Sequence, residues 1–256
     1  MYLLKDVVHY LYLKWFKHKY PKTKIISDYF SEMINGFYSQ AGQDAYIYSE
    51  FFNLIDSGKI PRVFVDIGCN HPIKFNNSYF FEKNLGFECI AIDPLTTYVS
   101  HWAETRPNAK LHSIALGDAK GKINLLVMDK VVDDDLESKH HSSNMFSTMS
   151  LDNTKRRSGN WKSIEVPILT AQDLFDTSKV SQIGIVSIDV EGFELKVLNG
   201  IDFFKTKIYI AIIENNTNNK FGAGEIRNFM ATNGFTFYAR IWGLDDIFVN
   251  TDIISL

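Results

Sequence analysis

Apolar residues fall in short runs rich in β-branched side chains, and stretches of polar, helix-length sequence separate many of them. Residues 62–67, 88–93, 111–116, 122–128, 184–190 and 208–214 each read as a strand. These runs are nearly continuous rather than alternating, which suits a sheet covered on both faces. Residues 43–55, 191–198 and 224–233 carry helical spacing, and Gly200 is placed to stop the second of these helices. Residues 235–241 and 247–250 alternate and are divided by Gly243 and two aspartates, the pattern of a terminal β-hairpin. The order predicts an α/β fold: a Rossmann-like, mostly parallel, doubly wound sheet with an antiparallel C-terminal hairpin. Such sheets bind ligands beyond the carboxyl ends of their strands, so chemistry is sought just after each strand.

Two segments lack this pattern. Residues 1–37 read as an N-terminal helical extension to a main domain expected at 38–256. The apolar run there is broken by Lys5, Asp6, Lys14 and Lys17, so no transmembrane span is expected. An amphipathic helix packed on the main domain or on a second copy, giving a homodimer, is the first reading. A membrane-surface helix is the other, from the lysines at its end. Residues 129–165 show no clean period and read as a functional loop or a disordered one.

Composition narrows the class. The chain has 256 residues, 45% of them hydrophobic, enough for one large core. A net charge of -3 gives no electrostatic footprint for nucleic acid. The two cysteines, Cys69 and Cys89, cannot build a disulfide framework, and a reducing cytoplasm is expected.

Four strand ends carry candidate chemistry. In Asp66-Ile67-Gly68-Cys69-Asn70 an acid ends a strand and a lone glycine follows, which is not the dinucleotide fingerprint G-x-G-x-x-G. Asp93 ends the next strand, where an acid takes both hydroxyls of a ribose. Ser113, Ile114, Gly117 and Asp118 follow the third strand, on the side where adenine lies in such sheets; a tight turn explains them equally well. Asp189, Glu191 and Glu194 crowd one strand-to-helix junction. The helix dipole accounts for Glu191 and Glu194 in a first turn; Asp189, on an apolar strand end, asks for another explanation.

Together, Ser39-Gln40-Ala41-Gly42-Gln43-Asp44, the stretches around Asp66 and Asp93, and the run from Ile188 through Asp189, Glu191, Gly192 and Glu194 to Gly200 resemble the FkbM family of methyltransferases. The resemblance runs from about residue 38 to 214. It implies a class I methyltransferase fold, S-adenosylmethionine as cofactor, and O-methylation of a sugar or secondary-metabolite hydroxyl. Carried over by position, Asp66, Gly68 and Asn70 would line the methionine part of the cofactor and Asp93 the ribose. Ser113, Ile114 and Asp118 would lie near adenine, and Gln43 and Asp44 would close over the methionine end. The sequence departs from the family at Cys69-Asn70-His71-Pro72, where many members carry a second glycine.

Methyl transfer needs an oxygen aligned behind an electrophilic methyl group and partly relieved of its proton. Asp189 is the first choice of base and His71 the second, with Glu191 orienting the hydroxyl or stabilising the sulfonium. Asn77, Tyr79, His140 and Glu214 are expected on the acceptor side. A divalent metal held by Asp189, Glu191 and Glu214 is the alternative use of the acids; no metal is expected. The acceptor expected from the resemblance is a nucleotide-activated sugar, a heptose among them, for capsular or surface polysaccharide. Tyr79, Trp161, Trp242 and the basic run at 155–157 suit it. Competing readings are a nicotinamide-dependent oxidoreductase and a non-catalytic module of the same fold.

Overall fold

The computed structural model describes residues 36–131, 148, 159–215, 223–241 and 243–254. In chain order the strands are β1 (Val63–Ile67), β2 (Glu88–Ile92), β3 (Lys110–His112), β4 (Ala115–Gly117), β5 (Gly121–Val131), β6 (Gly159–Thr170), β7 (Gln182–Ile188), β8 (Lys207–Glu214), β9 (Phe235–Ile241) and β10 (Asp245–Asn250). The helices are α1 (Gln43–Asp56), α2 (Tyr79–Leu85), α3 (Val99–Thr105), α4 (Ala171–Ser178), α5 (Glu194–Asn199) and α6 (Ala223–Thr232).

Seven strands form one sheet in the order β3-β2-β1-β7-β8-β10-β9. All neighbours run parallel except β10, which is antiparallel to both β8 and β9. This is the expected doubly wound, Rossmann-like sheet with its antiparallel hairpin. The continuous apolar runs have the expected cause. Val65, Val186 and Ala211 face one core with Phe175, Leu198 and Met230 of α4, α5 and α6. Phe64, Ile185, Ile210 and Ile212 face the other with Ile47 and Phe51 of α1 and Phe81 of α2.

The expectation for 111–116 is corrected, and the expected strand at 122–128 is β5, which lies outside the main sheet. The first run splits: β3 ends the main sheet, and β4 leaves it. A second sheet has the order β4-β6-β5, with β5 and β6 antiparallel over a small core of Ala115, Leu125, Val127, Val166 and Ile168. Residues 159–165, read as part of an unpatterned loop, are the first half of β6. The period was present but lay mostly beyond it, since Ile164, Val166 and Ile168 turn inward while Ser163, Glu165 and Pro167 are exposed. Thr170 then accepts a hydrogen bond from the Asp173 amide (3.1 Å) and starts α4.

No helix among the described residues is long and apolar enough to cross a membrane. The expected helix within 1–37 falls almost wholly outside the described residues, as do His140, the basic run at 155–157 and Trp242.

Candidate functional site

Strand direction gathers the acids. Asp66, Asp93 and Asp189 stand at the carboxyl ends of β1, β2 and β7, and Glu214 closes β8. Because β10 runs the other way, its first residue, Asp245, pairs with Glu214 in register and joins the same edge.

The turn after β1 explains Gly68. Its φ is +87°, and a Cβ there would lie 1.7 Å from the Asp189 carbonyl oxygen. No side chain fits between the two loops. The Gly68 amide donates to the Ile92 carbonyl (2.8 Å), and the Asp189 amide donates to the Ile67 carbonyl (2.9 Å). Three strand ends are thus laced together by their own backbone.

On the β1–β2–β3 side, Asp93 accepts from the Asn70 amide (3.0 Å) and the Leu95 amide (2.8 Å). Burial nevertheless pushes its carboxyl up to about 6, against those two bonds. Burial also raises Asp66, opposed by the Ser78 hydroxyl and the Arg106 guanidinium. One oxygen of Asp66, the side-chain oxygen of Asn70 and Nε2 of His112 are buried with no partner among the described residues. Orphaned buried polar atoms of this kind each cost about 1–3 kcal/mol unless a ligand or water meets them. His112 ends β3, directly beside Ile92 in register. Burial and Lys110 lower its pKa, which favours the neutral ring.

On the β7–β8–β10 side, side-chain oxygens of Asp189, Glu194 and Glu214 lie within 4.8 Å of one another. Burial raises Asp189 well above the carboxylate range, and the charges of Glu214 and Glu191 raise it further. Glu214 is pushed up to about 8 by burial and by Glu191 and Glu194. Asp245 stands at about 6, raised by burial although it accepts a hydrogen bond from Gln43 Nε2 (2.7 Å). Such a cluster reduces its repulsion by retaining protons or by holding a divalent cation. The cation geometry involves Glu194, where the expected alternative involved Glu191.

Glu191 is not in the helix, contrary to expectation. Its φ is +55°, Gly192 follows at +98°, and α5 begins only at Glu194. Glu194 accepts from the amides of Val190 (3.2 Å) and Gly192 (2.9 Å), folding the loop around its own carboxylate.

Other expected residues have different duties. The Nδ1 of His71 accepts from the amides of Ile73 (3.1 Å) and Lys74 (2.9 Å), so its basic lone pair is spent and it is unsuited to act as the base. Gln43 and Asp44 bond within the protein. Gln43 joins the Ala41 amide to Asp245, and Asp44 receives the Tyr38 and Ser39 amides and the Ser39 hydroxyl. They brace the segment before α1 against β10. Asp118 is exposed and ion-paired to Lys196 (2.6 Å). Ser113 and Ile114 are half-buried between β3 and β4, and Ile114 packs on the main core. Tyr79 is buried at the start of α2, edge-on to Tyr38, with its hydroxyl accepting from Lys83; it packs rather than faces an acceptor. Asn77 donates to the Ser187 hydroxyl (2.9 Å), and its own buried oxygen has no partner among the described residues.

Two residues escaped the sequence reading. His112 lacks a motif, and only the register of β2 and β3 reveals it. Asp245 appeared as a hairpin breaker, and only the antiparallel turn of β10 sets it opposite Glu214.

A family model described as the methyltransferase FkbM domain matches residues 66–237. Among solved structures, a methyltransferase FkbM from Methylobacillus flagellatus KT is similar at 12% identity and a TM-score of 0.43, over 74% of this chain. The alignment spans 43% of that protein's chain. No curated protein matches. The matched span contains the strand-end acids of β1, β2, β7 and β8, and on it the chain belongs to the FkbM methyltransferase family.

Proposed function

We propose that the protein is an S-adenosylmethionine-dependent O-methyltransferase acting on a sugar hydroxyl, with a nucleotide-activated sugar as acceptor. The observation that carries the cofactor is the set of buried acceptors on the β1–β3 side. Asp66, Asn70 and Asp93 present oxygens, and two of the three residues have one without a partner among the described residues. Adenosylmethionine brings an ammonium group, two ribose hydroxyls and a sulfonium charge, which are donors and positive charge where this site has acceptors and acids. A nicotinamide dinucleotide would bring an anionic pyrophosphate to the same acids, and the glycine-rich turn that cradles it is missing.

In this reading Asp66, Gly68 and Asn70 line the methionine part. Asp93 takes the ribose hydroxyls, and His112, Ser113 and Ile114 border the adenine. The cofactor supplies an electrophilic methyl group. The chain's own residues hold the acceptor oxygen in line and relieve it of its proton. Asp189 is the base. Its raised pKa brings it closer to that of a hydroxyl, which makes its ionised form a stronger proton acceptor. Glu191 orients the hydroxyl, Glu214 shares the proton taken, and Asn77 offers its free oxygen to the acceptor. The setting is cytoplasmic, with capsular or surface polysaccharide as the product pathway and a heptose among the sugars. Methylation of a secondary metabolite is the second reading, resting on the family resemblance.

The test is a methyl-transfer screen over nucleotide sugars, read by mass. A gain of one methyl on a nucleotide sugar supports the proposal. Transfer only to non-sugar hydroxyls moves it to the second reading, and retained activity after exhaustive chelation removes an essential metal.

A further inference from the structure

Among the described residues, Thr148 lies in the sequence between β5 and β6, far from every motif, yet it touches the acid loop. Its hydroxyl donates to the Glu191 carbonyl at 2.6 Å. Its own backbone is fixed to β5: the Thr148 amide donates to the Leu126 carbonyl and the Leu126 amide to the Thr148 carbonyl, both at 2.9 Å. The residue is 1% exposed, so the hydroxyl bond is sheltered from water.

That bond falls on the one residue of the loop whose backbone needs holding. Glu191 sits at φ +55°, a conformation that costs a side-chain-bearing residue about 1 kcal/mol or more. From within, Glu194 gathers the amides of Val190 and Gly192 on either side of it. From without, Thr148 takes the carbonyl of Glu191 itself. Together they hold the peptide plane after Glu191 from both edges, through its carbonyl and the Gly192 amide, and tie the plane before Val190 to the same Glu194 carboxylate.

We propose that Thr148 is a positioning residue: its hydroxyl, anchored on β5, locks the left-handed turn at Glu191 and so aims that carboxylate at the acceptor. The claim rests on the reading of Glu191 as the residue that orients the acceptor hydroxyl. It also gives the connection between β5 and β6 a physical route to the catalytic edge, because a change at Leu126 or Thr148 is felt at the Glu191 carbonyl.

The test uses the full chain labelled with ¹⁵N and ¹³C. In the wild type, the backbone shifts and the amide–α coupling of Glu191 report positive φ. Thr148→Val keeps the shape and removes the donor, so Glu191 moves toward ordinary negative φ, while Thr148→Ser keeps the donor and the wild-type values. Adenosylhomocysteine affinity, measured by calorimetry, stays within about twofold in both variants, since the hydroxyl removed bonds to the Glu191 loop and not to the strand-end acids of β1 and β2. A Glu191 signal that is the same in Thr148→Val as in the wild type overturns the proposal. So does a Thr148→Ser protein displaced as far as Thr148→Val, because packing and not the hydroxyl would then be responsible. Failure of the wild type to bind adenosylhomocysteine would count against the cofactor reading and leave the result at Glu191 standing.

Discussion

Asp93 offers a test in which structure fixes both sign and size. Its carboxyl stands at about 6 in the folded chain because burial outweighs the amides of Leu95 and Asn70. In the unfolded chain it returns to about 3.9. The folded state therefore holds this proton more tightly. The group's contribution to stability is complete below pH 4 and is lost as pH rises through 6. The full difference is worth about 3 kcal/mol, of which roughly 2.5 kcal/mol falls between pH 4 and pH 7. Asp93→Asn removes the titration. The amide oxygen can still accept from one of the two backbone donors, but its NH₂ meets the other, so the variant is less stable at acid pH. The gap should then narrow by about 2.5 kcal/mol from pH 4 to pH 7. Urea unfolding followed by tryptophan fluorescence, at half-unit pH steps on both proteins, measures that gap. A gap that is constant with pH would show that Asp93 is not held up by burial. A second arm concerns the ligand. Ribose hydroxyls donate to an ionised carboxylate, so adenosylhomocysteine should bind the wild type more tightly as pH rises from 5 to 7. The asparagine variant should lack that dependence.

Further expectations follow from the same geometry. Gly68→Ala forces a Cβ to within 1.7 Å of the Asp189 carbonyl, so the β1 and β7 loops must part. We expect a stability loss of about 2–4 kcal/mol by urea titration and loss of adenosylhomocysteine binding in calorimetry; near-normal values for both would contradict the close approach. Methyl transfer should rise with pH toward a limb near 8, because Glu214 stands at about 8 and the proton-accepting form of the cluster is the ionised one. Glu214→Gln removes that titrating group and relieves Asp189 of a neighbouring charge, so the limb near 8 should be lost, and an unmoved profile would take Glu214 out of the proton-accepting group. Asp118→Asn breaks only an exposed pair with Lys196. Its stability should change by less than about 1 kcal/mol and its adenosylhomocysteine affinity not at all; a clear loss of affinity would restore Asp118 to the adenine site.

How far the sequence could be read depended on where the information is stored. The main sheet was legible because strands buried on both faces write continuous apolar runs, as in 62–67 and 208–214. The same rule misled at 111–116. There a run of similar composition is two strands, and Gly117 presses against α5 closely enough that a Cβ on Gly200 would lie 2.1 Å from its carbonyl oxygen. Strand-end acids were legible, since a charge after an apolar run is conspicuous. Their partners were not. Gln43 and Asp44 look the same in sequence whether they face a ligand or brace a loop, and only the 2.7 Å bond from Gln43 to Asp245 decides it. The turn at Glu191 was misread as helix for a related reason. Acids at a helix start satisfy the dipole, but here Glu194 spends its carboxylate on the amides of Val190 and Gly192, and the helix waits until that residue.

The proposed function turns on whether adenosylmethionine meets the orphaned acceptors at the ends of β1 to β3. Titration calorimetry of the full chain with adenosylhomocysteine, and in parallel with NAD, addresses it most directly. Adenosylhomocysteine should bind saturably, at least about tenfold more weakly in Asp93→Ala through the loss of the ribose acceptor, and NAD should show no saturable binding. Binding of NAD with none of adenosylhomocysteine would contradict the proposed function.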